Sequence, residues 1–159
     1  MALPNPSDFT RILGSQMRAL KEHGNRLLSE GNYPGAVFAY TLGACKIESA
    51  GADDSDPAVR ELAGQCHCNL ALARLKLAGD GDRAGAELAL RSCTAAIGLM
   101  PRWEKPLFRR AACYERLGRP EEALQDLLRA ARLRPACAEI AGAIGRVRGR
   151  LGHPGSRLL

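Results

Sequence analysis

The 159-residue chain is short of aromatic side chains, which make up 4% of it, and short of β-branched ones. Those residue types fill the pleated faces of sheets, so a β-rich fold is not expected. No apolar run reaches the roughly 18 residues that cross a bilayer, and no membrane segment is expected. The opening, MALPNPSDF, lacks a basic head followed by an apolar stretch. It does not read as a signal peptide, and a cytoplasmic location is expected. Histidine is limited to His23, His67 and His153, which fall in no nucleophile or metal pattern. No glycine-rich phosphate loop follows a strand. An enzyme is therefore not expected, nor a cofactor. Cys66-His67-Cys68 hints at a metal, but no second cysteine pair accompanies it, so none is expected. The six cysteines read as small, reduced, mostly buried residues in helical patterns. Lysine is scarce as well. The chain has four, against 19 arginines, and it also has four asparagines.

Alanine, leucine, arginine and glutamate dominate what is present, and these are helix formers. The net charge of +6 favours anionic partners without choosing among them. In the basic stretch RVRGRLGHPGSR (146–157) no aromatics are interleaved, which argues against base stacking. It reads as a helix with a solvated basic face, and neither nucleic acid nor a membrane surface is the expected partner.

The chain repeats itself. Residues 18–49 and 104–135 each read as a helix, a short glycine-containing turn and a second helix. Ala111, Tyr114 and Ala123 are spaced by three and nine, as are Gly24, Leu27 and Ala36, and Pro101 and Pro135 lie 34 residues apart. A middle unit runs from about Gly64 to Pro101, with a turn (LAGDGDRAGAE, 77–87) about six residues too long, read as an elongated hairpin. Gly24 and Ala111 permit close helix approach. Gly31 and Gly118 supply turn conformations after a helix. Pro34 and Pro120 sit in the first turn of the next helix, where a missing N–H is tolerated. Leu107, Tyr114, Leu117, Leu124 and Leu127 read as core, and Tyr40, Trp103 and Phe108 as packing. Segment 49–57 reads as a loop, and Ser7 or Asp8 as an N-cap.

This period, with small residues at helix contacts and a closing proline, resembles the tetratricopeptide repeat. The expected fold is all-α: a right-handed superhelix of three helical hairpins plus a C-terminal capping helix. The expected layout is an N-terminal extension (1–16), in which Asp8 to Gln16 either extend the first helix or form a short helix of their own, a repeat domain (17–151) with units at about 17–50, 64–101 and 104–135 and a capping helix at 136–151, and a flexible tail (152–159). One hairpin cannot bury its apolar stripe alone, whereas stacked hairpins share a continuous core.

In such a superhelix the first helix of each hairpin lines a concave groove. Lys21 and Asn25 are four apart on the first, Lys105 and Arg109 four apart on the fifth, and Asn69 lies on the third. Three cations and two amides with no acid among them make a receptor for carboxylates. The set resembles the dicarboxylate clamp of one subclass of the family, found in Hop, the large immunophilins, the myosin chaperone and sperm-associated antigen. Lys21, Gly24 and Asn25 match its Lys-x-x-Gly-Asn, Asn69 its third-helix asparagine, and Lys105 and Arg109 its Lys-x-x-x-Arg. Two of the four lysines and two of the four asparagines stand where that motif wants them. The resemblance implies a monomeric co-chaperone or adaptor module. Its partners would be the C-terminal Glu-Glu-Val-Asp tails of cytosolic heat-shock chaperones of the 70-kDa or 90-kDa class. Lys21, Asn25 and Asn69 would hold the terminal carboxylate, Lys105 the aspartate side chain, and Arg109 the peptide backbone or an upstream glutamate. The alternative is a general repeat scaffold that binds another peptide or a helix and leaves the clamp unused. Arg110, Arg116, Arg129 and Arg132 read as solvated surface.

Overall fold

The structure is a computed structural model that describes residues 6–50 and 56–152. Those residues form seven α-helices: α1 (Pro6–Ser29), α2 (Tyr33–Ala50), α3 (Pro57–Leu77), α4 (Arg83–Leu99), α5 (Glu104–Arg116), α6 (Pro120–Leu133) and α7 (Ala138–Gly152). Helices pair as α1–α2, α3–α4 and α5–α6, with α7 against α6. The odd helices α1, α3 and α5 also pack side by side. Small cores are strung along this stack. Leu13 and Met17 meet Val59, Leu62 and Ala63. Tyr40 and Ala36 meet Leu70 and Ala73, and Cys93, Ala89 and Cys113 meet Ala71 and Leu75. Ala143 and Val147 of α7 close the last hairpin over Ala111, Ala123 and Leu127.

Two positions need glycine for different reasons. At Gly31 and its counterpart Gly118, φ is +77° and +73°, the left-handed turn that ends α1 and α5. At Gly24 a Cβ would lie 2.6 Å from Cε1 of Tyr40, so only a residue without a side chain lets α1 approach α2.

Of the two paths open to the N-terminal segment, the structure takes the helix extension: residues 6–16 are the start of α1, and Leu13 is packed against α3. The reason is a four-residue apolar spacing, Leu13 to Met17, that continues the helix face of the first hairpin upstream. Asp8 therefore sits in the first turn of α1, and the side chain of Ser7 lies outside what the structure describes. The middle hairpin differs from expectation. Asp56 accepts N–H bonds from Ala58 and Val59 at 2.8 and 3.2 Å, and with Pro57 behind it starts α3 seven residues before Gly64. The intervening turn is 78–82, while residues 83–88 belong to α4, which Asp82 caps through Gly85 N–H at 2.9 Å. The extra length of this unit went mostly into helix. The expected tail lies almost wholly outside the described residues.

Two arginines read as solvated surface are structural instead. Arg110 of α5 donates to both carboxylate oxygens of Asp126 on α6, at 2.6 and 2.8 Å, and Asp126 is buried. Arg116 donates to the carbonyls of Leu75 and Ala78 at 2.8 and 3.2 Å, supplying partners for the end of α3 that the helix itself cannot. Arg129 reaches the Pro101 carbonyl at 3.2 Å, while Arg132 is exposed as expected. Removing Asp126 strands a half-buried guanidinium. Asp126→Ala should lower the unfolding free energy by about 3 kcal/mol in urea titration. A loss below about 0.5 kcal/mol would show that the pair is solvated like a surface one.

Candidate functional site

The groove between α1, α3 and α5 is built from one face of each. Lys21 and Asn25 of α1, Gln65 and Asn69 of α3, and Trp103 and Lys105 at the head of α5 line a single cavity of about 260 Å³. Four of the five expected site residues therefore meet across helices that are far apart in sequence. Arg109 stands at the edge. It lines a neighbouring cavity of about 330 Å³ together with Lys105, Leu72, Phe108 and Ile140.

A chain of hydrogen bonds ties these residues to the fold. Tyr40 donates its hydroxyl to Asn25 Oδ1 at 2.6 Å, and Asn69 Nδ2 donates to the same oxygen at 3.1 Å. Arg109 in turn donates to Asn69 Oδ1 at 3.1 Å and to the Cys68 carbonyl and thiol of α3. Lys21 Nζ donates to Gln65 Oε1 at 2.7 Å. Lys105 Nζ lies 6.0 Å from the Trp103 ring centre, within cation–π range.

These bonds have a chemical consequence. Each amide oxygen named is already accepting: Asn25 twice, Asn69 from Arg109, Gln65 from Lys21. Most of what is left unused is donor capacity: the Asn25 NH2, one hydrogen of the Asn69 NH2, and most of the two ammonium groups, against one lone pair each on Asn69 Oδ1 and Gln65 Oε1. The group that matches such a lining accepts only and carries negative charge, which describes an ionised carboxylate. Burial pushes the Tyr40 hydroxyl up to about 12, partly opposed by Arg109 nearby, so it remains a donor to Asn25 at any physiological pH. Burial likewise pushes the Cys66 thiol up to about 11 against the pull of Lys21, and raises Cys68 against that of Arg109. These three groups are thus neutral, and they do not cancel the cations Lys21 and Arg109 beside them. Cys93 is raised further by its hydrogen bond with Cys113 and by burial. Among the described residues no group of three or more potential metal ligands is assembled.

The reading of Trp103 as packing is incomplete, because its half-buried ring also walls the groove. Gln65 was missed, although a signal was there. It precedes Asn69 by four residues, the spacing of Lys21 to Asn25 and of Lys105 to Arg109.

A stack of helical hairpins whose first helices line a groove defines the class of helical-repeat solenoids, with the binding surface on the concave side. Residues 105–137 match the family model for the tetratricopeptide repeat. The chain is 31% identical over 118 residues to the HSP-interacting protein of Zea mays, covering 74% of this chain and 14% of that protein. It thus spans about a seventh of that curated relative. Among solved structures, it is similar to the first TPR of Spaghetti (RPAP3) bound to the HSP90 peptide SRMEEVD. The TM-score there is 0.70 at 26% identity, covering 88% of this chain and 96% of that one. It is also similar to the second TPR domain of human RPAP3 in complex with the HSP70 peptide SGPTIEEVD. In that case the TM-score is 0.66 at 27% identity, covering 86% and 98%. The chain carries a tetratricopeptide-repeat domain.

The buried thiols and the Tyr40 phenol lower stability on the alkaline side. Both Cys66 and Tyr40 are held protonated in the fold above their ordinary values of 9.0 and 10.0. The folded state therefore binds more protons than the unfolded one at high pH, and stability must fall as pH rises. Urea denaturation under reducing conditions should give constant stability up to about pH 8 and a decline between about pH 9 and 12. A stability that rises over that interval contradicts the burial of these two groups.

Proposed function

We propose that the groove is a receptor for the C-terminal tail of a heat-shock chaperone of the 70-kDa or 90-kDa class, and that the chain is the chaperone-binding module of a co-chaperone or adaptor. The observation that carries this reading is the donor-rich, cationic lining of the 260 Å³ cavity by Lys21, Asn25, Asn69 and Lys105, with no acid among its residues. The two peptides held by the similar structures both end in Glu-Glu-Val-Asp, with a side-chain and a main-chain carboxylate on the last residue.

In this reading Lys21 and the NH2 groups of Asn25 and Asn69 hold the terminal α-carboxylate, and Lys105 pairs with the aspartate side chain. Arg109 keeps one nitrogen on α3 and has its remaining N–H groups for the peptide backbone or an upstream glutamate. Charge-assisted hydrogen bonds contribute about 1.5–3 kcal/mol each. Ordering a flexible peptide offsets much of that, leaving an affinity near micromolar, about −8 kcal/mol. The module works by binding rather than by catalysis, and it works in the cytoplasm, where those chaperones present their tails. Among the described residues no helix is long and apolar enough to cross a membrane.

Calorimetric titration with a peptide ending in Glu-Glu-Val-Asp and with its C-terminally amidated twin tests this. The free acid should bind at least about tenfold more tightly, and Lys21→Ala or Lys105→Ala should cost a similar factor without unfolding the protein. Affinity should fall as salt rises from about 0.05 to 0.5 M, because the groove is open to solvent. Equal binding of the two peptides would sink the reading.

A further inference from the structure

The hydrogen bond from Lys21 to Gln65 is not part of the expected clamp, and Gln65 lines the same cavity. Its amide has two ends. Nε2 donates to Glu61 Oε1 at 3.0 Å, one helical turn earlier on α3, and Oε1 accepts from Lys21 Nζ at 2.7 Å. A carboxylate can only accept. Glu61 therefore takes the NH2 end of Gln65 and turns the carbonyl end toward Lys21.

We infer that Gln65, oriented by Glu61, is a positioning residue that holds the Lys21 ammonium in the wall of the groove for an incoming carboxylate. The inference rests on the proposed tail-binding function and deepens it. Lysine is a flexible four-carbon stem, and an unsupported ammonium at the mouth of an open groove samples many rotamers. One short bond from Gln65 removes much of that freedom before a ligand arrives, so less of it is lost on binding. The chemical identity of the support matters. A glutamate at position 65 would hold Lys21 as well or better, but it would neutralise the charge and set a carboxylate against the ligand's own. A neutral carbonyl oxygen orients the ammonium and leaves its charge unspent. The acid of the pair, Glu61, is kept one amide away from the ammonium, so its charge acts on Lys21 only at a distance.

Two measurements test this. The first needs no ligand: partial modification of the folded protein with an amine-reactive reagent, with the extent at each lysine read by mass spectrometry. Gln65→Leu should raise the rate at Lys21 about threefold or more relative to the exposed Lys76, because a hydrogen bond to a charged group is lost. An unchanged ratio would overturn the inference, whether or not the groove binds tails. The second is titration with the free-acid tail peptide. Gln65→Leu should weaken binding about threefold to tenfold, and Gln65→Glu by more, with the deficit of Gln65→Glu shrinking at high salt. Gln65→Asn, too short to span to Lys21, should behave like Gln65→Leu. Wild-type binding that demands the free carboxylate but is matched within twofold by Gln65→Glu overturns the positioning role and leaves the tail-binding reading standing. Failure of the wild type to distinguish free acid from amide removes the tail-binding reading instead, while the labelling ratio still reports on the Gln65 contact.

Discussion

The bond from the Tyr40 hydroxyl to Asn25 Oδ1 is the constraint on which the site depends. Tyr40 is fully buried between the first two hairpins, and its ring lies where a Cβ on residue 24 would clash. Packing thus fixes the phenol, and the phenol, held protonated, fixes which end of the Asn25 amide faces the groove. From there the order passes outward: Asn25 accepts from Asn69, Asn69 accepts from Arg109, and Arg109 is anchored on the α3 backbone. A core residue of the repeat decides the polarity of a surface cavity. The motif glycine is coupled to function in the same way, since Gly24 makes room for the ring that orients the neighbouring asparagine.

The arginines divide the labour differently from the lysines. Arg110 and Arg116 are held by a carboxylate and by helix-end carbonyls and serve the stack. Arginine suits this, because its planar fork satisfies several fixed acceptors at once. Lysine at 21 and 105 is a compact charge on a flexible stem, suited to meeting a carboxylate whose position is not fully fixed beforehand. Lys105 beside Trp103 and Lys21 beside Gln65 are each restrained by one neutral neighbour, an arrangement that orients charge without cancelling it.

Much of the fold was legible in the residues. The five-residue step from Gly31 to Ala36, echoed from Gly118 to Ala123 with Pro34 and Pro120 in between, marks hairpins because turn and helix-start chemistry are local. The 21-residue length of α3 was not legible, because Asp56 as a cap and residues 57–63 as helix compete with the loop-like composition just before them. The sequence left two paths for residues 8–16, and the packing of Leu13 against α3 decides for the extended helix. Within the site, helical spacing pairs Lys21 with Asn25 and Lys105 with Arg109, and the repeat architecture that the chain resembles puts Asn69 between them on one groove. The commitment of Arg109 to α3 could not be read in this way, because it depends on how close α3 and α5 lie. Arg110 looked like solvated surface for the same reason: its partner Asp126 is 16 residues away, across a turn, and spacing within one helix says nothing of it.

The central claim is that donors from three helices converge on an acceptor-only guest. The side-chain amide resonances of Asn25 and Asn69 report on it directly in a nitrogen–proton NMR titration with a Glu-Glu-Val-Asp peptide, and four asparagines in the chain make them assignable by substitution. Both NH2 pairs should shift together and saturate at the same peptide concentration, while Asn32, at the α1–α2 turn and outside the groove, stays unmoved. Peptide binding that leaves Asn25 and Asn69 unshifted, and instead perturbs α2, α4 and α6, would contradict the account.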